Sequence, residues 1–87
     1  MIFIFDFKDI EIKCYTENRY FFHYKGVGSG NYLFCKIFNL ELEKYIDFLN
    51  QYDVITEFGI TFFKNGQDAK NALDFLLTIF IINKISE

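Results

Sequence analysis

An α+β domain, with a mainly antiparallel sheet of about five strands and two helices packed on one face in the order ββββαβα, is the fold class this sequence predicts. Three features predict it. Residues 1–38 read as strands, most of them alternating at a period of two, residues 40–52 switch to the 3.6-residue period of a helix, and residues 54–64 return to alternation before a final helical stripe. With 87 residues the chain has room for one domain, 1–87, and one core.

Taken in order, Ile2 to Phe5 is apolar on both sides, as a strand covered on two faces would be. Ile10, Ile12 and Cys14 alternate with Glu11, Lys13 and Tyr15, and the short step from Asp6 to Asp9 suits a hairpin. Arg19 to Lys25 and Tyr32 to Phe38 are aromatic and alternating, which predicts a third and a fourth strand. The glycine-rich loop Gly26 to Asn31 joins them. Asn39 is placed to cap a helix over 40–52, in which Glu41 and Glu43 meet the positive end of the dipole and Leu42, Tyr45, Ile46 and Leu49 recur at i, i+3, i+4, i+7. A fifth strand follows from Val54 to Lys64, with Val54, Phe58, Ile60 and Phe62 on one side. Asn65 or Gly66 then starts a last helix whose stripe is Ala69, Ala72, Leu73, Leu76 and Phe80, and the β-branched Ile79, Ile81 and Ile82 leave a terminal strand open. The core expected from this pattern is Ile4, Ile10, Ile12, Phe22, Phe34, Leu42, Ile46, Leu49, Phe58, Ile60, Leu73, Leu76 and Phe80.

Composition narrows the function classes. Thirteen Phe and six Tyr, with an apolar share of 52%, are more greasy surface than so short a chain hides, because a domain this size buries only roughly 60–65% of its unfolded surface. Part of that surface is expected to meet a partner. Residues 1–38 hold five basic groups against four acids, whereas 39–87 hold eight acids against four lysines, and Glu41, Glu43, Asp47, Asp53 and Glu57 face only Lys44 within 41–57. The longest apolar run, Phe75 to Ile82, is far short of the ~20 residues of a membrane helix, so no membrane is expected. Cys14 and Cys35 fit no zinc or redox spacing and read as two reduced core thiols of a cytoplasmic protein.

Motif chemistry is sparse. Gly26 to Gly30 would cradle a phosphate only by opening a helix, and the strand expected after it argues against that. His23 lacks a recognisable nucleophile turn, and the pairs Glu43 with Asp47 and Asp53 with Glu57 lack the further oxygen ligands of a cation loop. No enzyme activity, cofactor or metal is therefore expected. Arg19, Tyr20, His23, Tyr24 and Lys25 interleave cations with aromatics as a single-strand nucleic-acid binder does, but a net charge of −3 makes nucleic acid an unfavourable partner.

The expected function is that of a small acidic inhibitor that occludes a basic, nucleic-acid-handling protein through Glu41, Glu43, Asp47, Asp53 and Glu57. In size and charge alone the chain is similar to toxin-immunity proteins and to phage inhibitors of bacterial defence, anti-CRISPR proteins among them. Two alternatives stand beside this. One is single-stranded nucleic-acid binding by residues 19–25. The other is a self-associating structural protein, a homodimer joined through Phe75, Ile79 and Ile82.

Overall fold

The computed structural model describes residues 5–86. A single 3₁₀ turn, Phe7–Asp9, occupies the step expected to be a hairpin; the Asp6 side chain accepts from the Lys8 amide at 2.9 Å and caps it. Then come strands β1 (Ile10–Thr16) and β2 (Arg19–Tyr24), helices α1 (Asn31–Phe38) and α2 (Leu42–Leu49), strands β3 (Val54–Glu57) and β4 (Ile60–Phe63), and helix α3 (Gly66–Ser86). The α+β class holds, with one antiparallel sheet of four strands and three helices among the described residues, in the order ββααββα. The expected first strand at residues 2–5 falls almost wholly outside the described residues, and so does the core assignment of Ile4.

Two hairpins lie side by side in the sheet, in the order β1-β2-β4-β3, meeting where Tyr20 pairs with Phe63. In the first hairpin Ile10 pairs with Tyr24, Ile12 with Phe22 and Cys14 with Tyr20, and a bulge follows at Tyr15. Cross-strand partners share a face, so the inner face carries Ile10, Ile12, Phe22 and Tyr24 from this hairpin, joined by Thr61 and Phe63 from the second. All three helices pack on that inner side. Phe34, Ile37 and Phe38 of α1, Tyr45 and Leu49 of α2, and Ala69, Ala72 and Leu76 of α3 close a core with Phe22 and Phe63. Aromatic contacts run through it: Phe22 to Phe34 at 5.7 Å, Phe34 to Phe38 at 6.1 Å and Phe38 to Tyr45 at 6.3 Å. The small residues at the start of α3 permit its close approach to the sheet, and a Cβ on Gly66 would stand 3.4 Å from the Tyr20 ring.

Residues 32–38, expected as a strand, are helical, in a helix that begins at Asn31. Asn31, Phe34, Cys35 and Phe38 fall at i, i+3, i+4, i+7 and are all buried, while Tyr32 and Lys36 point to solvent. Asn39 ends this helix instead of starting the next: at φ 55° it donates its amide to the Cys35 and Lys36 carbonyls. Glu41 is the N-cap residue of α2, which runs from 42 to 49 inside the expected 40–52. The single strand expected over 54–64 is a hairpin turned at Phe58 and Gly59. Phe58, assigned to the core, is 98% exposed at its tip. Cys35 is buried as expected but Cys14 is exposed, with its Sγ donating to the Thr16 carbonyl. The last element stays helical to Ser86, with Asn65 Oδ1 accepting the Asp68 amide at 2.8 Å. No helix among the described residues is long and apolar enough to cross a membrane.

Candidate functional site: the open face of the sheet

An antiparallel sheet with one solvated side ordinarily alternates apolar-in with polar-out. The second side of this sheet departs from that rule. Tyr15 of β1, Phe21 of β2, and Ile60 and Phe62 of β4 floor a groove of about 470 Å³ that is open to solvent. Phe62 meets Phe21 edge-on at 5.6 Å and Tyr15 at 6.5 Å. Arg19 and Glu57 stand at the groove as an ion pair, Nη1 to Oε2 3.1 Å, and the guanidinium also lies 5.3 Å from the Phe62 centroid. Phe58, in the turn between β3 and β4, also lines the groove. Tyr15 is 72% exposed, so two of these rings lie largely in water.

The turn carrying Phe58 is held from beneath. Its two central residues, Phe58 and Gly59, have φ of 55° and 74°, the consecutive positive values of a type I′ hairpin turn. The Gly59 carbonyl accepts the Asn31 amide at 2.7 Å, and Asn31 Nδ2 donates to Thr61 Oγ1 at 3.0 Å, which in turn bonds Thr56 Oγ1 at 2.9 Å. Asn31 and Thr61 are both buried. The glycine loop therefore does open a helix, contrary to expectation, but the first helical amide is taken by the Gly59 carbonyl and is not aimed at an anion. That contact clamps the hairpin tip to the start of α1.

The acidic residues do not form one surface. Glu41, Glu43 and Asp47 are exposed on α2, on the helical side of the sheet. Asp53, in the connection to β3, pairs with Lys64 at 3.2 Å, and Glu57 is on the opposite face with Arg19. The aromatic and basic set of β2 is likewise divided. Arg19 and His23 face outward, but Tyr20 and Tyr24 face the helices, where the Tyr24 hydroxyl accepts the Asp6 amide at 3.0 Å; Lys25 lies beyond the strand in a turn. A neighbouring Cys14 raises the Tyr20 hydroxyl pKa. His23 Nδ1 bonds Ser29 Oγ at 2.7 Å and pins the β2–α1 loop; the cross-strand neighbour of His23, Glu11, is 4.0 Å from the Lys13 ammonium. Among the described residues no three His, Cys, Asp or Glu side chains gather as a metal site. From the middle of α3 onward, Phe75 stacks on Phe48 at 5.1 Å and is half exposed, Ile79 is half-buried and Ile82 is exposed.

Phe58, Ile60 and Phe62 were not legible as a site because they read as the apolar side of a single strand, and Tyr15 and Phe21 because alternation placed each singly among polar residues on the outer side of its own strand. The available signal was the Phe58-Gly59 step, a bulky residue followed by glycine between two short β runs. Comparison of the chain with protein-family models, with curated proteins and with solved structures finds no match.

Proposed function

We propose that this chain works by protein–protein association through the open face of its sheet, and not by transforming a small molecule. The observation that carries this reading is the ring cluster of Tyr15, Phe21 and Phe62 with Phe58 lining the same groove, displayed where a solvated sheet would carry polar side chains. A protein is favoured over a nucleic acid because the cations here are already matched: Arg19 by Glu57, and Lys13 by Glu11 at 4.0 Å. The test is capture from extracts of the producing cells on immobilised wild-type chain and on Phe58→Asn and Tyr15→Ser variants, with folding checked by circular dichroism. Proteins, this chain included, that are retained by the wild type and lost from both variants support the reading; retention indifferent to both removes the face from function.

A second reading is favoured by the three carboxylates of α2. Glu41, Glu43 and Asp47 are exposed and outside the ion pairs that engage Asp53 and Glu57. They suit docking on a basic protein surface of the kind that normally meets phosphates, which the chain would occlude as an inhibitor. Replacing Glu43 and Asp47 by Lys then slows association with such a target and lowers its salt sensitivity; unchanged kinetics exclude α2 from the contact.

A further inference from the structure

Phe58 unites two properties that oppose each other in an isolated chain. A left-handed backbone is costly for a residue with a β-carbon, and a bulky aromatic at φ 55° is an outlier. Burial of the ring offsets none of it, since the side chain is 98% exposed. Asn, which tolerates this conformation, is the usual occupant of the first central position of such a turn. Strain held at an exposed position points to a contact made outside the isolated fold.

A receptor for such a ring lies on the same face. The groove beside Phe58 has a volume of about 470 Å³, and a cavity of about 150 Å³ already admits benzene. Arg19 and Glu57 place one cation and one carboxylate at its rim. A protrusion, a recess, a positive group and a negative group on one surface are the parts of a self-complementary surface, in which a two-fold rotation sets residue i against j and j against i. We propose that the open face pairs with a second copy of this chain about a two-fold axis, Phe58 of each protomer seated in the groove of the other and Arg19 of each facing Glu57 of the other. This rests on the reading of the face as an association surface and names its occupant.

Charge and area agree with that choice. The pairs Glu11 with Lys13 and Arg19 with Glu57 leave the face neutral, so a second copy is not repelled, whereas stacking through α2 would oppose Glu43 and Asp47 to themselves. Phe58 and Tyr15 are 98% and 72% exposed, and an aromatic side chain contributes about 150–250 Å². The two rings thus supply about 340 Å² per protomer, approaching half of the ~800 Å² that one partner gives to a standard interface. The half-buried Phe21, Ile60 and Phe62 add to it. The pairing is a dissociable one, and it leaves Glu41, Glu43 and Asp47 of both copies in solvent on the far side.

Sedimentation equilibrium of the full chain over a dilution series, up to about 500 µM, tests this directly. The wild type is expected to move from one chain to two, and Phe58→Asn is expected to raise the dissociation constant at least about 30-fold, as loss of a central anchor does. Arg19→Glu and Glu57→Arg each weaken self-association, yet an equimolar mixture of the two single variants forms a mixed dimer, because both contacts across its axis then join a carboxylate of one chain to a guanidinium of the other. That rescue occurs with the internal pair of both chains still broken, so a merely structural role for the pair does not produce it. A wild type monomeric at every concentration overturns the second copy as occupant; if capture from extracts still depends on Phe58, the face belongs to a different protein and the association reading survives. A dimer indifferent to Phe58→Asn but lost in Phe75→Glu or Ile82→Glu moves the interface to α3 and overturns the proposal as well.

Discussion

Replacing Phe58 by Asn should make the fold more stable although it deletes the largest exposed apolar side chain of the hairpin. The φ of 55° at Phe58 and 98% exposure of its ring mean that the substitution removes strain and almost no packing. With the left-handed penalty at about 1–2 kcal/mol for an ordinary residue and much smaller for Asn, the expected gain is about 1 kcal/mol. For a domain of this length that raises Tm by about 4–8 °C. Phe58→Ala is the control: it deletes the same ring but keeps a β-carbon at the strained position, so its stability should stay within about 0.5 kcal/mol of wild type. Thermal and urea melts at concentrations where the chain is monomeric separate this from any stability drawn from association. If Phe58→Asn melts no higher than Phe58→Ala, the turn holds no strain and the case for Phe58 as an anchor loses its foundation.

Other residues have equally definite consequences. Asn31→Ala removes the buried bond to Thr61 and should cost about 1–2 kcal/mol, and it should speed amide exchange in β3 and β4 more than in β1, since Asn31 clamps only the second hairpin. Phe34→Ala should cost about 3–5 kcal/mol because Phe34 is buried between Phe22 and Phe38, whereas Tyr15→Ser, on the open face, should cost well under half of that in the same urea melts. Burial raises the Tyr45 hydroxyl pKa, with Cys35 beside it adding to the effect, and burial raises the Cys35 thiol as well. In both cases the folded chain holds its proton longer than the unfolded chain does, so their stability is fully present below the unfolded values and is lost as pH rises. Urea midpoints should therefore decline from about pH 8.5 upward and more steeply above about pH 10. Tyr45→Phe should flatten the steeper part, and a midpoint that is level from about pH 7 to about pH 11 would contradict the burial of both groups.

Patterning alone determined a good part of this molecule. The faces of the first hairpin follow from the alternation of Ile10 and Ile12 with charged neighbours and of Tyr20, Phe22 and Tyr24 with Arg19, Phe21 and His23, and α2 follows from Leu42, Tyr45, Ile46 and Leu49. The small-residue stripe of Ala69 and Ala72 likewise announced a helix laid close on a sheet. Between Tyr32 and Phe38 only Lys36 is polar, so strand alternation and helical spacing both fit the segment, and its aromatic, β-branched composition favours the wrong element. Burial of Phe34, Cys35 and Phe38 against the sheet selects the helix. Face assignment in the second hairpin was also beyond the pattern. Because Glu57 pairs with Ile60 across a two-residue turn, Ile55 shares a face with Phe62, and Val54 with Phe63. Even positions of β3 therefore join odd positions of β4, which sends Ile60 and Phe62 outward and Phe63 inward. A composition rich in rings specifies how much apolar surface must be covered. Which rings the chain covers itself, and which it leaves on the open face, is decided by the register of the second hairpin and by the packing of the helices against one side of the sheet.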